Sequence, residues 1–169
     1  MRRTRRPIPS WGAYAWVDIY LKVSTLSITL AVIHLDHPWL LKLHESLALS
    51  LIGLGISGFA LLLFALAIST LDQQFTPAHA SRVPSAIVQT GPYRFIRHPI
   101  YASNLILMVG MLLLSGSAWI AINLLILIVF YLPTIIVEEQ AIQQYLPQYK
   151  DYAERTGMIF PKLRRRGDP

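Results

Sequence analysis

At 169 residues the chain is the length of one domain, but 54% hydrophobic residues, 14% charged residues and a mean hydropathy of +0.47 exclude an ordinary soluble protein. The absence of cysteine excludes disulfides, thiolate metal sites and a cysteine nucleophile. A net charge of +6 would suggest nucleic acid in a soluble chain, whereas in one this apolar it points to topology signals and anionic lipid, with no nucleic-acid partner expected.

Met1–Ser10 is a basic, proline-containing arm, followed by Trp11, Tyr14 and Trp16 as an interfacial aromatic belt. A first span is expected over Val17–Leu35. No small-residue cleavage site follows it, so it does not read as a signal peptide. Asp18 and Lys22 interrupt it at i,i+4 spacing, on one helix face, where they can neutralise each other. The connection His34–Glu45 holds three histidines whose spacing matches no zinc pattern, and no metal site is expected.

The second span, Ser46–Leu71, runs 26 residues without a charge, where about 20 suffice to cross a bilayer core. It contains GLGISG, a literal G-x-G-x-x-G at Gly53, Gly55 and Gly58, but a dinucleotide loop needs a strand before it and a turn within it. Ser46, Ser50, Gly53, Ser57 and Ala60 instead recur at helical spacing, a small-residue stripe suited to close helix packing. Asp72–Arg97, punctuated by Thr76-Pro77, Pro84 and Gly91-Pro92, is expected to be an ordered functional loop.

Thr90–Tyr101, TGPYRFIRHPIY, sets two cations and a histidine directly before a long apolar run, an expensive and usually functional placement. Pro99–Val137 is 39 residues without a charge. As one straight helix it would measure about 58 Å, nearly twice a bilayer core of about 30 Å. The chain must therefore turn back, at Ser115-Gly116-Ser117, with Trp119 at the interface. This hairpin returns Arg97-His98-Pro99 and Glu138-Glu139 to the same surface. Pro99 suits the first turn of a helix, whose free N–H groups with Arg97 attract an anion. On charge alone, a salt bridge closing the hairpin and a ligand site are balanced alternatives. The tail Gln140–Lys162 reads as a helix broken near Pro147, with Tyr145, Tyr149 and Tyr152 as an aromatic stripe, and Arg164–Arg166 as a lipid-facing charge run.

The expected architecture is thus an all-α integral membrane protein with about four transmembrane helices, a tight hairpin of spans three and four, and a C-terminal cytosolic helix. Four spans with both termini inside place thirteen of the fifteen Lys and Arg on the inner side and only Lys42 outside, with Lys22 inside the first span. A bacterial inner membrane with cytoplasmic termini is the expected location.

Gly91-Pro92-Tyr93-Arg94, then Arg97-His98-Pro99-Ile100-Tyr101, then Glu138-Glu139, then Tyr149-x-x-Tyr152 and Phe160-Pro161 resemble, in that order, the isoprenylcysteine carboxyl methyltransferases and their bacterial phospholipid methyltransferase relatives. The resemblance covers about residues 76–162. It implies an S-adenosylmethionine enzyme without a Rossmann domain, divided into a two-span part (1–75), a cofactor-binding core (76–162) and a basic tail (163–169). Carried onto matching positions, it implies cofactor contacts from Gly91, Pro92, Tyr93, His98, Pro99 and Tyr101. Glu139, with Glu138 as a second group, would hold the cofactor's ammonium or ribose hydroxyls, and Arg97 a carboxylate or acidic substrate group, which makes Arg97 and Glu139 the candidate catalytic pair. Many relatives carry Gly where Ser103 stands here, and Phe-Gly where Tyr145-Leu146-Pro147 stands. The implied partner is a lipophilic or lipid methyl acceptor, together with membrane lipids. Two other classes compete: a nicotinamide-dependent membrane reductase with a related helical core, and a non-catalytic membrane scaffold or subunit.

Overall fold

A computed structural model describes residues 12–35, 41–71 and 87–162, with side chains from residue 16. The basic arm, Trp11, residues 36–40 with His37, residues 72–86 with Thr76-Pro77, Arg82 and Pro84, and the tail at 163–169 lie outside the described residues, as does the side chain of Tyr14. Those described form five α-helices, one 3-10 turn and no strand: α1 (Gly12–His34), α2 (Leu47–Leu71), the 3-10 turn (Gly91–Arg94), α3 (Pro99–Ser115), α4 (Ala118–Tyr145) and α5 (Tyr149–Arg155). Three of them, α1 from Trp16, α2 and α4, are long and apolar enough to cross a membrane, the signature of an integral membrane protein. Helix α3 has 17 residues, about 26 Å at 1.5 Å per residue.

The expected hairpin is present. Gly116 ends α3 in the left-handed region (φ 64°), its N–H bonding the Leu112 carbonyl, and Ser117 starts α4. The α1–α2 connection docks on this turn: Leu43 N–H donates to the Gly116 carbonyl (2.6 Å) and Ala118 N–H to the Leu41 carbonyl (3.0 Å). A Cβ at residue 116 would also sit 3.2 Å from His44 Cδ2. Gly116→Ala is therefore expected to lower stability by about 1–2 kcal/mol, read as a lower melting temperature of the detergent-purified protein.

The small-residue stripe of α2 packs on α3. Gly53, Ser57 and Ala60 are buried, and a Cβ on Gly53 would lie 2.6 Å from the Gly110 carbonyl oxygen. The two backbones touch directly. Gly55 and Gly58 face open space, and all three glycines are mid-helix, so GLGISG builds packing rather than a nucleotide loop.

Helix α4 runs through Glu138-Glu139 and joins the fourth apolar run to the tail helix expected before Pro147, because EEQAIQQY contains only residues a helix accepts. It stops at Tyr145, where Pro147 disfavours helix at Leu146, and helix resumes at Tyr149, the break expected near Pro147. Helix α1 packs on α3 and α4, giving a core of Leu21, Tyr101, Met108, Leu127, Tyr131 and Ile135. A second cluster, Ile142, Tyr149 and Tyr152, joins α5 to the end of α4. Outward positions such as Leu47, Leu125 and Val129 are exposed leucines and valines, suited to lipid.

Candidate functional site

The hairpin brings the start of α3 and the end of α4 to one end of the bundle, and the chain beyond α5 closes over them. Residues 95–98 link the 3-10 turn to α3, with an isolated parallel bridge between Ile96 and Gly157. Arg97 N–H donates to the Gly157 carbonyl (2.8 Å), His98 N–H to the Met158 carbonyl (3.0 Å) and Gly157 N–H to the Phe95 carbonyl (3.1 Å). This short parallel pairing aims the Arg97 and His98 side chains inward. Pro99 opens α3 as expected, its missing N–H falling where a helix has no use for one.

Glu139 is the hub. Arg97 Nε donates to Glu139 Oε1 (2.6 Å) and an Arg97 terminal nitrogen to Oε2 (3.3 Å), a bidentate fork. His98 Nε2 lies 3.1 Å and Tyr149 Oη 3.4 Å from Oε1. Four donors converge, about what one carboxylate accepts. Since that carboxylate only accepts here, His98 Nε2 carries the hydrogen of this bond. The other terminal nitrogen of Arg97 donates to the Ala153 (2.9 Å) and Thr156 carbonyls, so the guanidinium also clamps the end of α5. The pair is well buried, with side chains 9% and 12% exposed. Burial works against the Arg97 charge, and its bonds to Glu139 more than offset this, raising its pKa above the ordinary arginine value.

The salt-bridge alternative for closing the hairpin is therefore realised. In this arrangement the Arg97 fork faces Glu139 and two carbonyls rather than an outside carboxylate. Glu138, beside it, takes one hydrogen bond on Oε2 from Tyr101 Oη (3.1 Å). The rings of His98 and Tyr101 meet edge-on at 5.7 Å, and those of Tyr149 and Tyr152 at 5.6 Å. Tyr152 Oη donates to the Tyr93 carbonyl (2.7 Å), tying α5 to the 3-10 turn. Burial leads in pushing the Tyr93 and Tyr149 phenols up, followed by the Tyr152 phenol for Tyr93 and the Glu139 charge for Tyr149; Tyr152 is pushed up to about 12, burial again leading. All three stay protonated at neutral pH, and the Tyr149 and Tyr152 hydroxyls act as donors, to Glu139 and to the Tyr93 carbonyl.

The structure thus gathers Tyr93, Arg97, His98, Tyr101, Glu138 and Glu139, with Pro99 behind them. Gly91 and Pro92 lie at the edge, Gly91 against the Thr70 side chain of α2. Ser103, standing where relatives often have Gly, is buried and bonds its own helix at the Ile100 carbonyl (2.8 Å). Sequence reading missed the Tyr149 and Tyr152 hydroxyl bonds, although the stripe itself was visible. It also missed a polar set inside the bundle, in which Asn104 and Tyr131 reach Asp18. Polar side chains within apolar spans were the available signal.

The S-adenosylmethionine implied by the motifs is a sulfonium that also carries an ammonium. Carboxylates flanked by buried aromatic rings suit such a cation, so the donor set fits.

Comparison with known proteins agrees. Residues 48–148, from the start of α2 to the end of the turn after α4, match the family described as Phospholipid methyltransferase. The chain is 33% identical over 85 residues to the nickel-cobalt-cadmium resistance protein NccN of Alcaligenes xylosoxydans xylosoxydans, covering 50% of this chain and 40% of that one. It is 29% identical over 85 residues to the cobalt-zinc-cadmium resistance protein CzcN of Cupriavidus metallidurans, covering 50% and 39%. The chain spans about two-fifths of the length of these relatives. With well over half its residues matched and the motif residues gathered at one site, the chain belongs to the phospholipid methyltransferase family.

Proposed function

We propose that the protein is an S-adenosylmethionine-dependent membrane methyltransferase that methylates the polar head of a lipophilic acceptor at the cytosolic face. The observation that carries this reading is the assembly of RHPIY and Glu138-Glu139 into one buried cluster, in a chain of this family. On this reading the chain crosses four times, with α3 as the short third, and the cluster lies at the inner surface of a bacterial inner membrane with α5 on the cytosolic side. The distribution of Lys and Arg supports this orientation.

Glu138 is the carboxylate we assign to the cofactor's ammonium, because Tyr101 holds it by one oxygen while Glu139 is already committed to Arg97, His98 and Tyr149. Tyr101 bonds that carboxylate, and we assign Tyr93 and the backbone at Gly91-Pro92, at the edge of the cluster, to the rest of the cofactor. When bound, the cofactor supplies an electrophilic methyl group. The protein's part is alignment and exclusion of water, which the Ile142–Tyr149–Tyr152 cluster performs beside the charges. An acceptor carboxylate or free amine needs no base to attack, whereas a protonated amine or a hydroxyl does. His98 is the group we assign to take that proton, since Glu139 is committed to Arg97, His98 and Tyr149.

Calorimetric titration of the detergent-purified protein with S-adenosylmethionine tests the reading, together with a search for labelled methyl in lipid extracts. Binding is expected, and His98→Ala and Glu138→Gln should each weaken it about tenfold or more. A monodisperse protein that binds no cofactor, or variants that bind like wild type, would overturn it. The relatives' names also attach them to metal resistance, and growth of a strain lacking this protein at raised cobalt or cadmium asks whether that association extends to it.

A further inference from the structure

Helix α1 lies outside the residues that match the family, yet its inner face carries chemistry. Asp18 Oδ2 pairs with Lys22 Nζ at 2.8 Å, the expected i,i+4 bond. Its other oxygen, Oδ1, accepts from Tyr131 Oη of α4 at 2.5 Å. Tyr131 Oη in turn accepts from Asn104 Nδ2 of α3 at 3.0 Å. With a donor on one side and a carboxylate on the other, the hydroxyl hydrogen has one orientation, toward Asp18, and the ring is held with it. That ring meets the Tyr101 ring edge-on at 4.8 Å and 82°, and Tyr101 is the residue that bonds Glu138.

We propose that Asp18 is a positioning residue for the site: acting through Tyr131 it sets the Tyr101 ring, and Tyr101 sets the Glu138 carboxylate. This rests on the reading above, in which Glu138 receives the cofactor. Two carboxylates from different helices each end on a tyrosine hydroxyl, and the two rings lock against each other. Packing α1 against α3 and α4 would need only apolar side chains. A carboxylate within a span is expensive, and a neutralising lysine would satisfy it without the bond to α4. The arrangement joins three helices to one site group through oriented contacts, so disturbance at Asp18 is felt at Glu138 rather than spread over the bundle.

The test uses the full chain in detergent, with S-adenosylmethionine affinity as the readout for Asp18→Ala, Asp18→Asn, Tyr131→Phe, Glu138→Gln and the Tyr131→Phe/Glu138→Gln pair. Asp18→Ala and Tyr131→Phe should each weaken binding about five- to tenfold, while Asp18→Asn, whose amide oxygen still accepts, should recover most of the loss. In the Glu138→Gln background, Tyr131→Phe should add no more than about twofold, because the path it acts through is already broken. Wild-type affinity in both single variants, or penalties that multiply in the pair, would overturn the inference. In protein carrying ring-fluorinated tyrosine, the fluorine resonance of Tyr101 reads the coupling without cofactor. It should move in Asp18→Ala and return in Asp18→Asn. An unmoved resonance overturns the inference whatever the affinities. A moved one in a wild-type protein that binds no cofactor supports the coupling and overturns the cofactor reading.

Discussion

Glu139→Ala is expected to destabilise the protein by about 3–5 kcal/mol, the scale for removing one partner of a buried ion pair. The reason is what it leaves behind. Arg97 is 9% exposed and would keep a buried charge with only the Ala153 and Thr156 carbonyls to bond, while His98 and Tyr149 would each lose an acceptor. Melting of the detergent-purified variant should fall by on the order of 10 °C. Glu139→Gln, which keeps one carbonyl oxygen, should lose roughly 1.5–3 kcal/mol. The double change Arg97→Met with Glu139→Leu should recover part of the alanine loss, since no lone buried charge remains. A Glu139→Ala protein melting within about 1 kcal/mol of wild type would show that Glu139 is not the hub described here.

The second large effect concerns the α2–α3 contact. Gly53→Val is expected to cost 3 kcal/mol or more, above the usual range of about 1–3 kcal/mol for overpacking. Its new atoms would meet the Gly110 carbonyl (2.6 Å) and the Leu113 backbone (2.8 Å), neither of which can swing aside as a side chain would. Because α3 begins with Pro99 and Tyr101, pushing α3 away from α2 also displaces the site, so cofactor affinity should fall with stability. Gly55→Ala and Gly58→Ala meet nothing within 4 Å and should be neutral or stabilising by up to about 1 kcal/mol. Parallel melting curves of the three variants separate the two classes. Equal losses at all three glycines would contradict the packing.

Much of the site was legible because charge is scarce in this chain. In a run of 39 uncharged residues, Arg97-His98 at one end and Glu138-Glu139 at the other stand out, and length alone forces them together. The turn at Ser115-Gly116-Ser117 followed from the same arithmetic and lies where expected. The division of labour between the two glutamates was not legible. Adjacent identical side chains look alike in a sequence, but on a helix they point about 100° apart, so one meets Arg97 and the other Tyr101. The continuity of α4 with the tail helix expected before Pro147 was also not legible, because a helix leaving the apolar run loses its hydropathy signal while keeping its backbone bonds to Tyr145.

The sequence by itself determined that this is a helical membrane protein, that α3 and α4 form a hairpin, and that a basic motif and two carboxylates meet at its open end. These depend on hydropathy, span length and proline and glycine chemistry, all local properties of the chain. Only the tertiary structure decided which donor meets which oxygen. It made Glu139 the partner of Arg97, His98 and Tyr149, left Glu138 to Tyr101, and linked Asp18 to the site through Tyr131. Those choices turn on helix rotation and on contacts between residues 10 to 113 positions apart, which no local pattern encodes.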